Sequence, residues 1–187
     1  EFRIDFESAN PVPLDTVIEK PWVLKALGIG SALDVELTER LLKSQRLKPL
    51  GQVWKDRGLR SGVGYKIAAG LKQQDASPLY DLPDFKPQDM QLRIQFGELE
   101  RWYEVHGRKT VHSVGSPDLF KPPLVVIPQT PGEDVSGPKA YLSSHRTLCF
   151  SQSYYGYSCA GDGEGEGELL AALLYLIVHS SLYRYFC

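Results

Sequence analysis

An unbroken apolar stretch near the C-terminus limits the folds open to this chain more than any other feature. Every residue from Leu169 to Val178 is apolar or tyrosine. At about 100° per residue, Leu169 and Leu173 share one face of a helix, while Leu174 and Val178 share another. Because apolar side chains cover all sides, we predict a helix over 169–186 that is buried on most of its surface and around which the rest of the chain packs. Polar residues from position 179 onward make the apolar stretch too short to span a membrane.

The strongest strand candidate is Leu124–Ile127, a dense and largely β-branched run bounded by prolines. A chain of 187 residues with 42% hydrophobic content is long enough for one good core, alone or with a small lobe. We predict an α+β fold in which a mixed, twisted β-sheet packs on the buried C-terminal helix, with a smaller helical and basic region at the N-terminus. The sheet is expected to form from segments around Val125, Tyr141 and Leu148, with a further strand candidate at 154–158.

The whole chain, 1–187, is predicted to be a single domain. Residues 1–20 are expected to be a linker or a strand from an upstream domain, and a helix capped by Ser31 or Asp34 is expected to run to about Ser44. The polar, proline-rich segment 73–90 is predicted to be a surface connection, and 161–168 an acidic, glycine-rich loop. The first residue is Glu1 rather than Met, and no residue typical of a helix end follows the C-terminal helix. Both ends are therefore expected to be cut from a longer protein.

The cysteines and histidines argue against a self-contained active site. Cys149, Cys159 and Cys187 form an odd set without a C-x-x-C pair, which disfavours structural zinc and a disulfide framework and favours a reducing, cytoplasmic location. No signal peptide precedes them. The four histidines share no metal-like spacing and no G-x-S-x-G motif is present; they are His106, His112, His145 and His179. We therefore expect no enzyme activity, metal or cofactor in this chain.

A basic segment stands out although the net charge of the chain is only −2. Nine cations against the single acid Asp56 lie between positions 40 and 72: Arg40, Lys43, Arg46, Lys48, Lys55, Arg57, Arg60, Lys66 and Lys72. Within it, Gly58–Gly70 contains four glycines, which would allow backbone N–H groups to approach a phosphate or would suit a bulged hairpin. The P-loop and dinucleotide-binding patterns are absent. A polyanion site and a solvated basic face remain the two interpretations.

The order of features along most of the chain provides a further indication. Pro21-Trp22 precedes a leucine-rich helix, Leu50–Val53 has the form Leu-Gly-x-Val, and Gly62-x-Gly64 follows. After a polar insert, Leu119–Val126 joins a proline pair to an apolar strand, and segments 141–157 and 169–186 supply a strand with aromatic residues and a terminal helix. This order resembles the target-recognition (specificity) domain of TaqI-like and Type IIG adenine-N6 DNA methyltransferases of restriction-modification systems. One departure is His179, where the terminal helix of the family carries Asn.

The resemblance implies sequence-specific recognition of double-stranded DNA without catalysis. The Asn/Asp-Pro-Pro-Tyr/Phe motif and the S-adenosylmethionine loop are absent, so an upstream methyltransferase domain of the same parent chain would bind S-adenosylmethionine and receive the flipped adenine. Whether such a parent also cleaves DNA stays open. The residues implied to contact phosphates or bases are Lys55, Arg57, Arg60, Ser61, Lys66, Lys72 and Arg146.

A protein-interaction or scaffold domain is the alternative of another class. In that interpretation, the aromatic runs Tyr154–Tyr157 and Trp102-Tyr103 form an exposed contact surface. A small stand-alone enzyme ranks third because no catalytic grouping is found.

Overall fold

The computed structural model of this chain describes residues 12–29, 31–44, 47–67, 72–86, 99–130, 140–163, 165–180 and 183. The chain divides into two compact units, Glu1–Lys48 and Pro49–Cys187. Each unit is described by itself below.

The first unit contains the helices α1 (Leu14–Glu19), α2 (Trp22–Ile29) and α3 (Ala32–Lys43). The Ser31 hydroxyl donates to the Asp34 carboxylate at 2.9 Å, so both predicted capping residues take part in the start of α3. Lys20 lies 2.5 Å from the Glu39 carboxylate and links the end of α1 to α3. The described part of segment 1–20 therefore forms a helix, while the predicted strand at its start lies outside the described residues.

The second unit is built on a four-stranded antiparallel sheet in the order β1–β8–β5–β6. Two smaller ladders accompany it, β2–β4 antiparallel and β3–β7 parallel. The elements of this unit are α4 (Leu50–Asp56), β1 (Arg60–Val63), β2 (Gln74–Asp75), a 3-10 turn (Ser77–Leu79), β3 (Asp84–Phe85), α5 (Trp102–His106), β4 (Thr110–Val111), a 3-10 turn (Pro117–Phe120), β5 (Leu124–Pro128), β6 (Tyr141–Ser143), β7 (Cys149–Phe150), β8 (Tyr154–Ser158) and α6 (Glu166–His179). The predicted α+β class is confirmed.

Strand β5 is buried because both faces of the sheet are covered. Val125 and Ile127 pack in a cluster with Trp54 and with the inner side of α6. Leu124 and Val126 point to the opposite face, where they join a second cluster that includes Phe85, Trp102, Phe120 and Phe150. A strand covered on both sides is expected to be continuously apolar, which explains the Leu-Val-Val-Ile run.

Helix α6 packs on the sheet as predicted, but the prediction that most of its surface is buried is wrong. Gly167, Ala171, Leu174 and Val178 form its buried face. The other apolar face is open: Leu169 is 71% exposed, and Leu173, Leu176 and Ile177 are exposed as well. The helix ends at His179, short of the predicted end at 186, and positions 181–182 and 184–187 of the predicted extension lie outside the described residues.

Three other expectations about the second unit need correction. The segment at Leu148 does not join the main sheet, because β7 pairs with β3 instead. The segment 73–90, expected to be a surface connection, places Leu79 and Phe85 in the core, so its described part does more than connect. Segment 161–168 is a loop only in its first part, since α6 begins at Glu166. In the parts of the chain that the structure describes, no helix is long and apolar enough to cross a membrane.

Candidate nucleic-acid interface

The structure places the seven predicted DNA-contacting residues in three separate regions. Lys55 and Arg57 lie at the end of α4, and Arg60 and Ser61 follow in β1. Lys66 and Lys72 lie beyond β1, beside the segment that carries β4. Arg146 is exposed in the turn between β6 and β7, where its carbonyl accepts a bond from the Ser143 hydroxyl at 2.6 Å. Among the described residues, no hydrogen bond or ion pair joins all seven into a single site.

Arg57 is engaged by carboxylates. Its guanidinium lies 2.7 Å from Asp162 and 3.8 Å from Glu166, at the start of α6. The side chain is still 43% exposed, so the ion pair is screened by water and stabilises the fold only weakly. These two carboxylates nevertheless neutralise much of the positive charge that Arg57 could offer to an anion.

Gly64, the second glycine of Gly62-x-Gly64, has a packing role. A Cβ atom at Gly64 would lie 1.8 Å from the carbonyl oxygen of Phe150, whereas one at Gly62 would meet only Leu119 at 3.8 Å. Gly156 on β8 approaches the Phe150 ring from another side, where a Cβ would lie 2.3 Å from Cζ. Phe150 is thus enclosed between two glycines. Close packing explains Gly64 and Gly156 without any bound phosphate.

Lys66 and Lys72 flank one short segment. The backbone N–H of Lys66 donates to the Ser113 carbonyl at 2.8 Å, and its carbonyl accepts from His112 at 2.9 Å. On the other side, Gln74 pairs with Val111 and accepts the Val114 N–H at 3.0 Å. The segment around β4 is therefore hydrogen-bonded to the backbone of Lys66 on one side and to β2, the strand after Lys72, on the other.

Two further cations lie at the other end of the β4 segment. Arg108 and Lys109 are exposed, and the Lys109 carbonyl accepts the Ala76 N–H at 3.0 Å. Among the described residues, no carboxylate forms an ion pair with Lys66, Lys72, Arg108 or Lys109. We refer to these four residues as the basic strip. Sequence analysis missed Arg108 and Lys109, although the adjacent pair of cations was a visible signal.

A polar cluster, in which Tyr65 and Asp84 are buried and His106 is half-buried, includes Tyr65, the residue before Lys66. Asp84 is 2% exposed and accepts a bond from the Tyr65 hydroxyl at 2.8 Å. Nε2 of His106 lies 3.0 Å from the second carboxylate oxygen and 3.1 Å from the Tyr65 hydroxyl. The Cys149 thiol contacts the carboxylate at 3.8 Å. We refer to Tyr65, Asp84 and His106 as the buried triad.

Burial dominates the electrostatics of this triad. It raises the pKa of Asp84, because desolvation outweighs the bonds from Tyr65 and His106. Burial and the neighbouring Asp84 charge also raise the pKa of the Tyr65 hydroxyl, which therefore stays a hydrogen-bond donor. Burial raises the pKa of the Cys149 thiol in the same way, so a reactive thiolate is disfavoured.

The aromatic residues proposed for a protein-contact surface are mostly covered. Trp102 and Tyr154 are buried, and Tyr155 and Tyr157 are half-buried. Only Tyr103 is exposed, beside Tyr80 at a ring distance of 4.6 Å. The exposed apolar surface of the second unit lies instead on the outer face of α6.

Within the described ranges, no group of three or more His, Cys, Asp and Glu side chains is arranged to hold a metal ion. No protein-family model matches the chain, and no curated protein or solved structure matches it either.

Proposed function

We propose that this chain is a DNA-recognition domain that binds duplex DNA through the basic strip. The observation that carries the proposal is a set of cations along the β4 segment that have no carboxylate partner among the described residues: Lys72, Arg108 and Lys109 are exposed, and Lys66 is half-buried. Elsewhere in the second unit, Arg57, Lys86, Arg101 and Lys121 each have a carboxylate within ion-pair distance. Among the described residues, the exposed Lys55 and Arg60 share the lack of such a partner with the strip. Cations left without partners on a protein surface favour binding of a polyanion.

The length of the strip suits a nucleic-acid backbone. From Lys109 to Ser113, the residue paired with Lys66, the chain advances four residues, or about 13 Å at about 3.3 Å per residue. One DNA strand carries a phosphate about every 3.4 Å along the helix axis, so the strip can reach several consecutive phosphates. Contacts of this kind fix the register of the protein, and Arg60 and Ser61 on β1 are the candidates for reading base edges.

The resemblance to target-recognition domains supports the same class of ligand. In that setting, the chain would hold the duplex while an upstream methyltransferase domain, using S-adenosylmethionine, modifies a flipped adenine. This chain alone would supply recognition and no chemistry. Its affinity for random DNA is expected to be weak and to depend strongly on salt.

Fluorescence anisotropy with a random duplex at low and moderate salt tests this proposal. The double variant Lys66→Ala/Lys109→Ala removes two strip cations, and Lys43→Ala/Lys121→Ala is the control because it removes the same charge from two ion-paired lysines. The strip variant should lower the slope of log affinity against log salt by about two, while the control leaves it nearly unchanged. Absence of binding by the folded wild type at low salt, or equal losses in both variants, contradicts the proposal.

A protein-interaction domain is the second candidate, favoured by the open apolar face of α6. Leu169, Leu173, Leu176 and Ile177 form a contiguous aliphatic surface, since they lie three and four residues apart on one helix. Association through this face would persist at high salt and would be lost in Leu173→Glu. Sedimentation velocity at two salt concentrations separates this behaviour from that of a DNA-binding strip.

A further inference from the structure

We propose that the buried triad is a proton-linked latch that positions Lys66 and regulates the DNA affinity of the basic strip. This inference rests on the proposed DNA-binding function. It assigns a regulatory role to Tyr65, Asp84 and His106, none of which belongs to the strip.

The triad joins elements that are distant in the sequence. Tyr65 follows β1, Asp84 belongs to β3, and His106 ends α5. The three side chains meet within 3.1 Å of one another, and the ring of Trp102 packs edge-on against Tyr65 at 5.7 Å. The triad therefore connects β3 and α5 to Tyr65, the residue before Lys66 of the strip.

Its net charge depends on one proton. A neutral imidazole ring already carries one N–H proton. When the pair holds one further proton, on either Asp84 or His106, the pair has no net charge. Without that proton, the cluster holds a net negative charge on a carboxylate that is 2% exposed. Such a charge is costly in a poorly solvated site, so the cluster favours proton uptake.

Other charged groups around the triad do not compensate for this charge. Lys86 acts on Asp84 electrostatically, but its ammonium lies 2.7 Å from the Glu100 carboxylate. Cys149 on β7 has a pKa raised by burial and stays a neutral thiol, and Trp102, which shares α5 with His106, carries no charge. The charge of the triad is thus decided mainly by Asp84 and His106.

The state of the triad acts on the strip in two ways. First, Tyr65 directly precedes Lys66, whose backbone N–H and carbonyl bind Ser113 and His112, so a firmly held Tyr65 fixes one end of the strip. Second, a net negative charge on the triad weakens the attraction of the strip for phosphate. The Tyr65 hydroxyl donates to Asp84 whether or not the carboxyl is protonated, so the direction of the effect comes from the charge: proton uptake is expected to strengthen DNA binding.

The test is a pH series of DNA affinity between about pH 5.5 and 8 at constant ionic strength, using the full 187-residue chain and a random duplex. Wild type should bind severalfold more tightly at the acid end. His106→Gln and Asp84→Asn should flatten the pH profile. His145→Gln is the matched control, because it removes an exposed histidine in the turn between β6 and β7 that belongs neither to the triad nor to the strip. Tyr65→Phe, which keeps the ring and removes the hydroxyl, replaces Asp84→Asn if that variant does not fold.

A second measurement does not depend on DNA. In the free protein, pH-dependent NMR shifts of the Asp84 side chain should coincide with shifts of the Lys66 and Ser113 amides, and the amide shifts should vanish in Tyr65→Phe. Unchanged amides across the titration, or a His106→Gln profile as steep as that of wild type, overturn the latch. If the amide shifts coincide as expected but the protein binds DNA at no pH, the structural coupling stands. Its regulatory role and the proposed function are then both rejected.

Discussion

Substitution of Gly64 by Ala separates a packing role of the glycine-rich segment from a phosphate-binding role. The added Cβ would lie 1.8 Å from the Phe150 carbonyl oxygen and 2.6 Å from its Cδ2. The carbonyl cannot move away freely, because it accepts the Tyr65 N–H at 2.9 Å. Overpacking costs about 1–3 kcal/mol and a weakened hydrogen bond about 0.5–1.5 kcal/mol, so we expect a loss of about 2–4 kcal/mol in the free energy of unfolding. For a chain of this size, that corresponds to a fall in Tm of about 5–15 °C.

Gly62→Ala is the matched control two residues earlier. Its Cβ would make an ordinary contact with Leu119 at 3.8 Å, so the free energy of unfolding should change by no more than about 1 kcal/mol. Both variants are compared by guanidinium unfolding followed by circular dichroism, and by anisotropy with duplex DNA. If the glycines instead allowed phosphate to approach the backbone, both variants would stay stable and both would lose DNA affinity. That result, or a Gly64→Ala variant within about 1 kcal/mol of wild type, would refute the packing argument.

Three further predictions concern the core and its buried ionisable groups. Leu174→Ala should lower the free energy of unfolding in denaturant by about 2–5 kcal/mol and Leu173→Ala by less than about 1 kcal/mol, because of the two only Leu174 faces the sheet. Equal losses would contradict the observed orientation of α6. Burial raises the pKa of Asp84, so its contribution to stability is fully present below about pH 4 and is lost as the pH rises through the raised pKa. The unfolding free energy of wild type relative to Asp84→Asn should therefore fall as the pH rises above about 4, and a rise would reverse the assigned sign. Burial also raises the pKa of Cys149 and, to about 12, that of Cys159, so both should react with iodoacetamide at about pH 8 only after unfolding, as judged by peptide mass spectrometry.

Local patterns predicted the elements of the fold better than the partners of those elements. Strand β5 and helix α3 could be predicted because a β-branched run between prolines and a Ser-x-x-Asp cap are local signals. The parallel pairing of β7 with β3 could not be predicted, since it joins Asp84 to Cys149 across a long stretch of sequence. The buried triad has the same origin: its contacts join residues separated by 19, 22 and 41 positions. In the sequence alone, nothing distinguishes the members of the triad from other polar residues, so the triad could not be predicted.

The orientation of α6 shows why an apolar pattern alone could not predict which face is buried. Both faces carry leucines, so their hydrophobicity does not distinguish them. The buried face differs in carrying the small residues Gly167 and Ala171, and a Cβ at Gly167 would lie 2.7 Å from the Cys159 carbonyl oxygen. Close approach of the helix to the chain after β8 therefore requires the small residues on the inner side, and it leaves Leu173 outside. In an all-apolar helix, the position of the smallest residues is thus a better guide to the packed face than the position of the largest.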